Sequence, residues 1–175
     1  QTAPDSPAYN TAVALRLRGT LEVAALRRAL ETLHARHPLL RATFVLEAGR
    51  PGMTMAGNAP LAFAESDATG CDDAEIGRRV AADYARPFSL ENGPLFRVTL
   101  FRIASADHVL LLGVHHIVGD AWTNWLLLDE FRQLCGGRPL APVTGTYAGF
   151  VNGQRDLLEG ADGARLRGFW LRELA

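Results

Sequence analysis

Lysine is absent from this chain: all of its basic residues are arginine, eighteen in number against nineteen acidic residues, for a formal net charge of −1. Without a lysine amine there is no Schiff-base nucleophile and no P-loop side chain to grip a phosphate. Near-neutral charge, with both signs interspersed, leaves no electrostatic footprint for nucleic acid or an anionic membrane, so neither is expected as a partner. Cysteine is scarce too. Cys71 and Cys135 have no paired spacing, which argues against a disulfide framework or a cysteine zinc site, and both read as packing residues in a reducing compartment. No apolar run approaches the roughly 20 residues that span a bilayer. The opening Gln1-Thr2-Ala3-Pro4-Asp5 has neither the basic start nor the apolar core of a signal peptide. A cytoplasmic location is expected. With no initiating Met, the chain reads as a piece of a longer protein.

What is present is enough apolar residue, 48% of 175, to bury a core as one domain. Val13, Leu15 and Leu17 alternate with arginines from Thr11 to Arg18, the period of a half-buried strand. Gly19-Thr20 then predicts a turn and an N-cap for a helix over 21–36 with Leu26, Leu30 and Leu33 inside, ended by Pro38. Residues 39–46 read as extended, Gly49-Arg50-Pro51-Gly52 as a turn and 61–65 as a strand. A helix is expected over 72–84, then a hairpin of strands 95–103 and 108–114, then helices over 122–135, 146–158 and 163–174. The segment 136–142 reads as an ordinary loop. This order describes an α/β two-layer sandwich with a mixed β-sheet.

The chemistry-bearing stretch is His115-His116-Ile117-Val118-Gly119-Asp120-Ala121-Trp122-Thr123, directly after the unbroken apolar run Val109 to Val114. A strand covered on both faces ends there, so polar residues emerge at the sheet's edge. Neighbouring side chains on an extended backbone point to opposite faces, so His115 and His116 do not share a site. A zinc site wants three or four ligands at defined spacing, and no metal is expected. One histidine as a satisfied core residue, with Asp120 merely capping the next helix, is an open alternative.

Three further segments accompany it: Arg36-His37-Pro38-Leu39-Leu40-Arg41-Ala42-Thr43-Phe44; Arg86-Pro87-Phe88-Ser89-Leu90-Glu91-Asn92-Gly93-Pro94-Leu95-Phe96-Arg97; and Tyr147 to Arg155. Together with His115 to Thr123 they resemble, in order and spacing, the RHExLRTxF, PFDLxxGPLxR, YxDFxxWQ and HHxxxDGWS segments of the condensation domains of nonribosomal peptide synthetases. The match to YxDFxxWQ is partial, lacking an acid at Gly149 and an aromatic at Gly153. The resemblance implies a chloramphenicol-acetyltransferase-like fold in which residues 1–175 form the N-terminal lobe and a C-terminal lobe is supplied elsewhere. It implies amide formation between a carrier-bound donor thioester and a carrier-bound acceptor amine. Phosphopantetheine then belongs to the partner peptidyl and aminoacyl carrier domains, neighbouring synthetase domains flank the lobe, and no cofactor is held by it. His116 is the implied catalytic residue and His115 an inward-bonded support. Asp120 is an organiser for which Arg41 is the expected ion-pair partner; Gly119, Ala121 and Trp122 line the site. Arg36 and His37 read as helix-end residues favoured by the dipole. Ala121 stands where the family usually has Gly, which matters if that position requires a positive φ. An isolated lobe is expected to be inactive. Alternatives are a coenzyme A-dependent acyltransferase, an epimerisation lobe and a non-catalytic carrier-docking domain.

Overall fold

The apolar run that ends at the paired histidines is one of the two inner strands of a four-stranded sheet in the computed structural model, which describes residues 6–55 and 59–175. The opening Gln1 to Asp5 lies outside them. Strand β1 (Asn10–Arg18) pairs antiparallel with β6 (Asp107–His115), which pairs antiparallel with β5 (Phe96–Ala104). Strand β4 (Ala62–Asp67) adds parallel to β5, giving the order β1-β6-β5-β4 and the mixed sheet that the sequence predicts.

Period-2 alternation on β6 divides the core in two. Leu110, Leu112 and Val114 turn to one face, where they pack with Leu26, Leu30 and Leu33 of helix α1 (Val23–Arg36) and Leu127 and Phe131 of helix α3 (Ala121–Cys135). Val109 and Leu111 turn to the other, against Ile76 of helix α2 (Asp73–Tyr84) and Phe101. Leu30, Leu33 and Leu110 are wholly buried, each worth about 1.5–3 kcal/mol of apolar transfer. The larger core therefore lies under α1 and α3, and the end of β6 is anchored from both faces.

Local chemistry shifts several boundaries. Helix α1 begins after Glu22, which makes no side-chain cap bond, and not at the Thr20 cap that the sequence predicts. Pro38 opens one turn of 3-10 helix over Pro38–Arg41 where extended chain is expected. The turn predicted over residues 49–52 falls instead at Ala48 and Gly49, both at positive φ (50° and 77°). It joins β2 (Ala42–Glu47) to β3 (Arg50–Met55), with Pro51 opposite Leu46. A two-stranded hairpin has free edges, so a proline without an N–H is tolerated there.

The chain divides into two compact units, Gln1–Leu140 and Ala141–Ala175, so the segment 136–142, read as an ordinary loop, carries their junction. The second unit is helix α4 (Tyr147–Glu159) followed by helix α5 (Ala161–Glu173). Thr146 caps α4 by accepting from the Gly149 N–H at 3.0 Å. A Cβ on Gly163 would overlap the Leu158 carbonyl, so the corner between the helices admits only glycine. Cys71 packs at the smaller core as expected, whereas Cys135 is exposed at the end of α3. No helix among the described residues is long and apolar enough to cross a membrane.

Candidate active site

The two histidines part where β6 ends. His115, still in the strand, is 7% exposed and turns to the α2 face. Its ring lies 6.1 Å from that of Tyr9 and 6.0 Å from that of Phe88, nearly perpendicular to the latter. Its Nδ1 accepts from the Ile117 N–H at 3.1 Å, so the neutral ring carries its proton on Nε2. Burial, and then the neighbouring His116, hold the His115 pKa below the ordinary imidazole value. His115 thus clamps the turn that follows. His116 is exposed; its backbone N–H donates to the Tyr9 carbonyl at 2.8 Å, and its ring has no hydrogen-bond partner among the described residues.

The turn is pinned from below by Val118, which is buried and donates its N–H to the His115 carbonyl at 3.0 Å. Gly119 is required by space: a Cβ there would lie 2.9 Å from Thr123 Cγ2 and 3.2 Å from Thr123 Cβ. Thr123 in turn closes the helix start, donating both its N–H (2.9 Å) and its hydroxyl (3.1 Å) to Asp120 Oδ1. Asp120 is therefore the N-cap of α3, and these two hydrogen bonds hold its pKa below the usual carboxylate value. Ala121 is the first helical residue and has no positive φ, so alanine fits where glycine was in question. Trp122 and Trp125 project outward, 80% and 71% exposed.

Arg41 is not the partner of Asp120. Its Nη1 donates to the His34 carbonyl at the end of α1, while the exposed Asp120 carboxylate is held by Thr123. The 3-10 turn after Pro38 sends the guanidinium back along α1, and a carboxylate in water needs no buried cation. His34, 4% exposed and stacked on Phe96, has its pKa lowered by burial and then by Arg41.

Arg36 and His37 do more than sit at a helix end. Arg36 Nε donates to Glu130 Oε1 at 3.0 Å, and His37 Nε2 lies 2.5 Å from Glu130 Oε2. Glu130 is only 7% exposed, and the cluster ties α1 to the helix that Asp120 caps. Sequence reasoning missed Glu130, an acid on an amphipathic helix whose partners lie more than ninety residues away. Arg97, named there only as the end of its segment and given no role, lies with its guanidinium 3.9 Å over the Phe88 ring.

Two grooves open on this unit. One of about 420 Å³ runs past Phe63, Phe88 and Arg97; the other, about 440 Å³, lies between Arg27, His34, Arg41 and Leu61. His116 lines neither, and stands instead on an open face. Among the described residues no group of three or more His, Cys, Asp or Glu is placed to hold a metal ion.

The whole chain, residues 1–175, matches the family model "Condensation domain". It is 35% identical over 180 residues to chondramide synthase cmdD of Chondromyces crocatus, covering 97% of this chain and 5% of that protein. The starter condensation domain of rhizomide synthetase RzmA superposes with a TM-score of 0.86 at 26% identity, over 99% of this chain and 45% of that one. The X-domain solved in complex with OxyB from teicoplanin biosynthesis superposes at 0.80 and 30% identity, over 95% of this chain and 38% of that one. The chain thus spans less than half of the solved chains and a small part of the chondramide synthase. Its fold is the chloramphenicol-acetyltransferase-like α/β lobe, and the chain belongs to the condensation domain family of nonribosomal peptide synthetases.

Proposed function

We propose that residues 1–175 are the N-terminal lobe of a condensation domain that forms an amide between a donor acyl thioester and an acceptor amine. Both substrates are held on phosphopantetheine arms of carrier domains in the same cytoplasmic assembly. The observation that carries this is the asymmetry of the histidine pair: His115 is buried, neutral and bonded to the turn, while His116 presents an unbonded ring on that turn's open side. A rigid backbone holding one accessible imidazole suits proton traffic. The acceptor nitrogen attacks the thioester carbon, its N–H proton passes to His116 Nε2 or Nδ1, the C–S bond breaks, and the departing thiolate receives the proton. Asp120, as helix cap, and Gly119 fix the turn; Ala121 and Trp122 line the approach to it. The second wall of the site comes from a C-terminal lobe, so the lobe alone does not turn over.

Single-turnover product formation by the complete two-lobed domain, given carrier-loaded donor and acceptor and read by intact mass, tests this. Dipeptidyl product forms with wild type and falls by about 10²- to 10⁴-fold in His116→Ala. No product from wild type over several loaded pairs, with carrier binding retained, overturns it. A second reading, a docking lobe without chemistry, is favoured by the likeness to the X-domain solved with OxyB. It predicts that same silence, together with no exchange of α-deuterium; exchange would instead mark an epimerisation lobe.

A further inference from the structure

Arg97 stands near the start of β5, directly across from Gly113 of β6. Its guanidinium gathers the chain that leaves α2: Nη2 donates to the carbonyls of Asp83 (2.9 Å) and Arg86 (2.5 Å), and Nη1 to that of Pro87 (3.3 Å). A cation is well placed there, at the negative end of a helix dipole. The plane of the same group covers the face of Phe88, 3.9 Å from the ring centroid. Phe88, 5% exposed, then presents its ring to His115 at an interplanar angle of 85°. His115 Nδ1 holds the Ile117 N–H. A continuous series of contacts therefore runs from Arg97 to the residues on either side of His116.

Gly113 is an independent sign that this stack is built in. It is the only glycine in an otherwise bulky apolar run, and a Cβ there would already touch Arg97 Cγ at 3.5 Å and Phe88 Cζ at 3.7 Å. A Cβ alone fits at these distances, whereas the γ-carbons of a valine would have to share that space with Arg97 and Phe88.

We propose that Arg97 is a positioning residue for His116, acting through Phe88 and His115, with Gly113 as the gap that admits it. The inference rests on the reading of His116 as the proton-transfer residue. A planar guanidinium can stack by its face while its in-plane N–H groups bind carbonyls, which a lysine ammonium cannot do. Stacking fixes the rotation of Phe88, and its perpendicular packing against His115 then fixes the imidazole beside it. Without that constraint the His115 ring reorients, the Ile117 N–H loses its acceptor, and the residue between them moves.

The test uses the complete two-lobed domain with Arg97→Ala, Arg97→Lys, Phe88→Leu and Gly113→Val. Three quantities are read: the single-turnover rate at saturating acceptor, the acceptor KM, and the His115 tautomer by nitrogen-15 NMR of the imidazoles. Arg97→Ala is expected to lose about 10²-fold in rate, the effect of a displacement near 1 Å, with KM changed less than about twofold. The His115 Nδ1 signal moves from that of a pure acceptor toward a mixture of tautomers, a change that loss of stability alone does not produce. Arg97→Lys restores charge but not the tautomer, and Phe88→Leu, which keeps apolar volume, repeats the loss should Arg97→Ala fail to fold. A folded Arg97→Ala or Arg97→Lys protein with the wild-type tautomer and a rate within about twofold overturns the proposal. Wild-type rates in His116→Ala would sink the reading of His116 instead, while the His115 tautomer still reports on the Arg97 stack.

Discussion

The ground behind the histidine turn and the ground in front of it differ in kind. Behind it, Arg97 and Tyr84 are linked by directed hydrogen bonds through the Arg86 carbonyl, which accepts from Arg97 Nη2 (2.5 Å) and from Asn10 Nδ2 (2.9 Å); Asn10 Nδ2 also donates to the Tyr84 carbonyl (2.6 Å), and the Tyr84 hydroxyl donates to the Asn10 carbonyl (2.9 Å). In front, Ile117, Trp122, Trp125 and Leu126 stand at the surface, 44–80% exposed. The back is bonded like a domain interior; the front exposes apolar side chains and the His116 ring. The difference teaches that precision in this site is invested in the scaffold of the turn, leaving the imidazole itself without a hydrogen-bond partner among the described residues. Preorganised backbone with a free functional group is what a proton-transferring side chain needs.

Exchanging the two histidines for alanine is the strongest way to break this comparison. His115→Ala empties a buried site and leaves the Ile117 N–H without an acceptor, so it should destabilise the domain by about 2–4 kcal/mol. His116→Ala removes an exposed ring and should stay within about 0.5 kcal/mol of wild type. Urea denaturation of both variants decides it: similar losses of stability would mean that His116 is also a packing residue. The catalytic losses run the other way only in mechanism, since His115→Ala loses the turn and His116→Ala loses the proton carrier.

Much of the back was legible in the sequence because it obeys a period. Leu26, Leu30 and Leu33 repeat at helical spacing and are buried at 4%, 0% and 0%. The run Val109 to Val114 could only be an inner strand, and its alternation separates the two histidines without any structure. What was not legible depends on partners distant in the chain. Arg97, Glu130 and Thr99 look like solvent-facing polar residues, yet Thr99 donates its hydroxyl to Asp83 Oδ2 at 2.5 Å and Glu130 is buried by Arg36 and His37. The Arg41 to Asp120 pairing failed because a 3-10 turn, which Pro38 permits as readily as extended chain, turns the guanidinium toward His34. The hairpin of β2 and β3 was missed because Pro51-Gly52 has the composition of a turn and the true turn carries an alanine, Ala48.

Between the two regions lies the cap of α3, where a smaller effect sharpens the comparison. Gly119→Ala places a methyl 2.9 Å from Thr123 Cγ2, and since Thr123 holds Asp120 by two hydrogen bonds, the helix start must move with it. A loss of about 1–3 kcal/mol is expected, against about 1 kcal/mol for Asp120→Ala, which removes only the cap. Because the two changes damage one contact, the double variant should lose less than their sum. Strict additivity in thermal melts would separate Gly119 from the cap and assign its requirement to Val114, whose Cγ1 is 3.3 Å from the same Cβ position.

The smallest effect is in pH, and its window is set by which groups are shifted in which direction. Burial depresses the pKa of His115 and of His34 in the folded chain, so between their folded values and the unfolded value near 6.5 the unfolded state binds more protons. Stability then rises with pH in that window and is lost as pH falls below about 6.5, until the folded-state values are reached. The lowered carboxylates, Asp67, Glu75, Asp107, Asp120 and Asp129, act elsewhere: their contribution is present above their ordinary values of 3.8 to 4.5 and disappears below them. Denaturant midpoints measured from about pH 7 to pH 5 therefore isolate the histidines. His115→Asn offers the Ile117 N–H an amide oxygen that does not titrate, and should remove part of the slope, leaving the share of His34. His116→Ala should leave most of the slope, because the first cause of the His115 shift is burial, which that change does not remove. An equal loss of slope in both variants would show that the turn does not divide a closed interior from an open face.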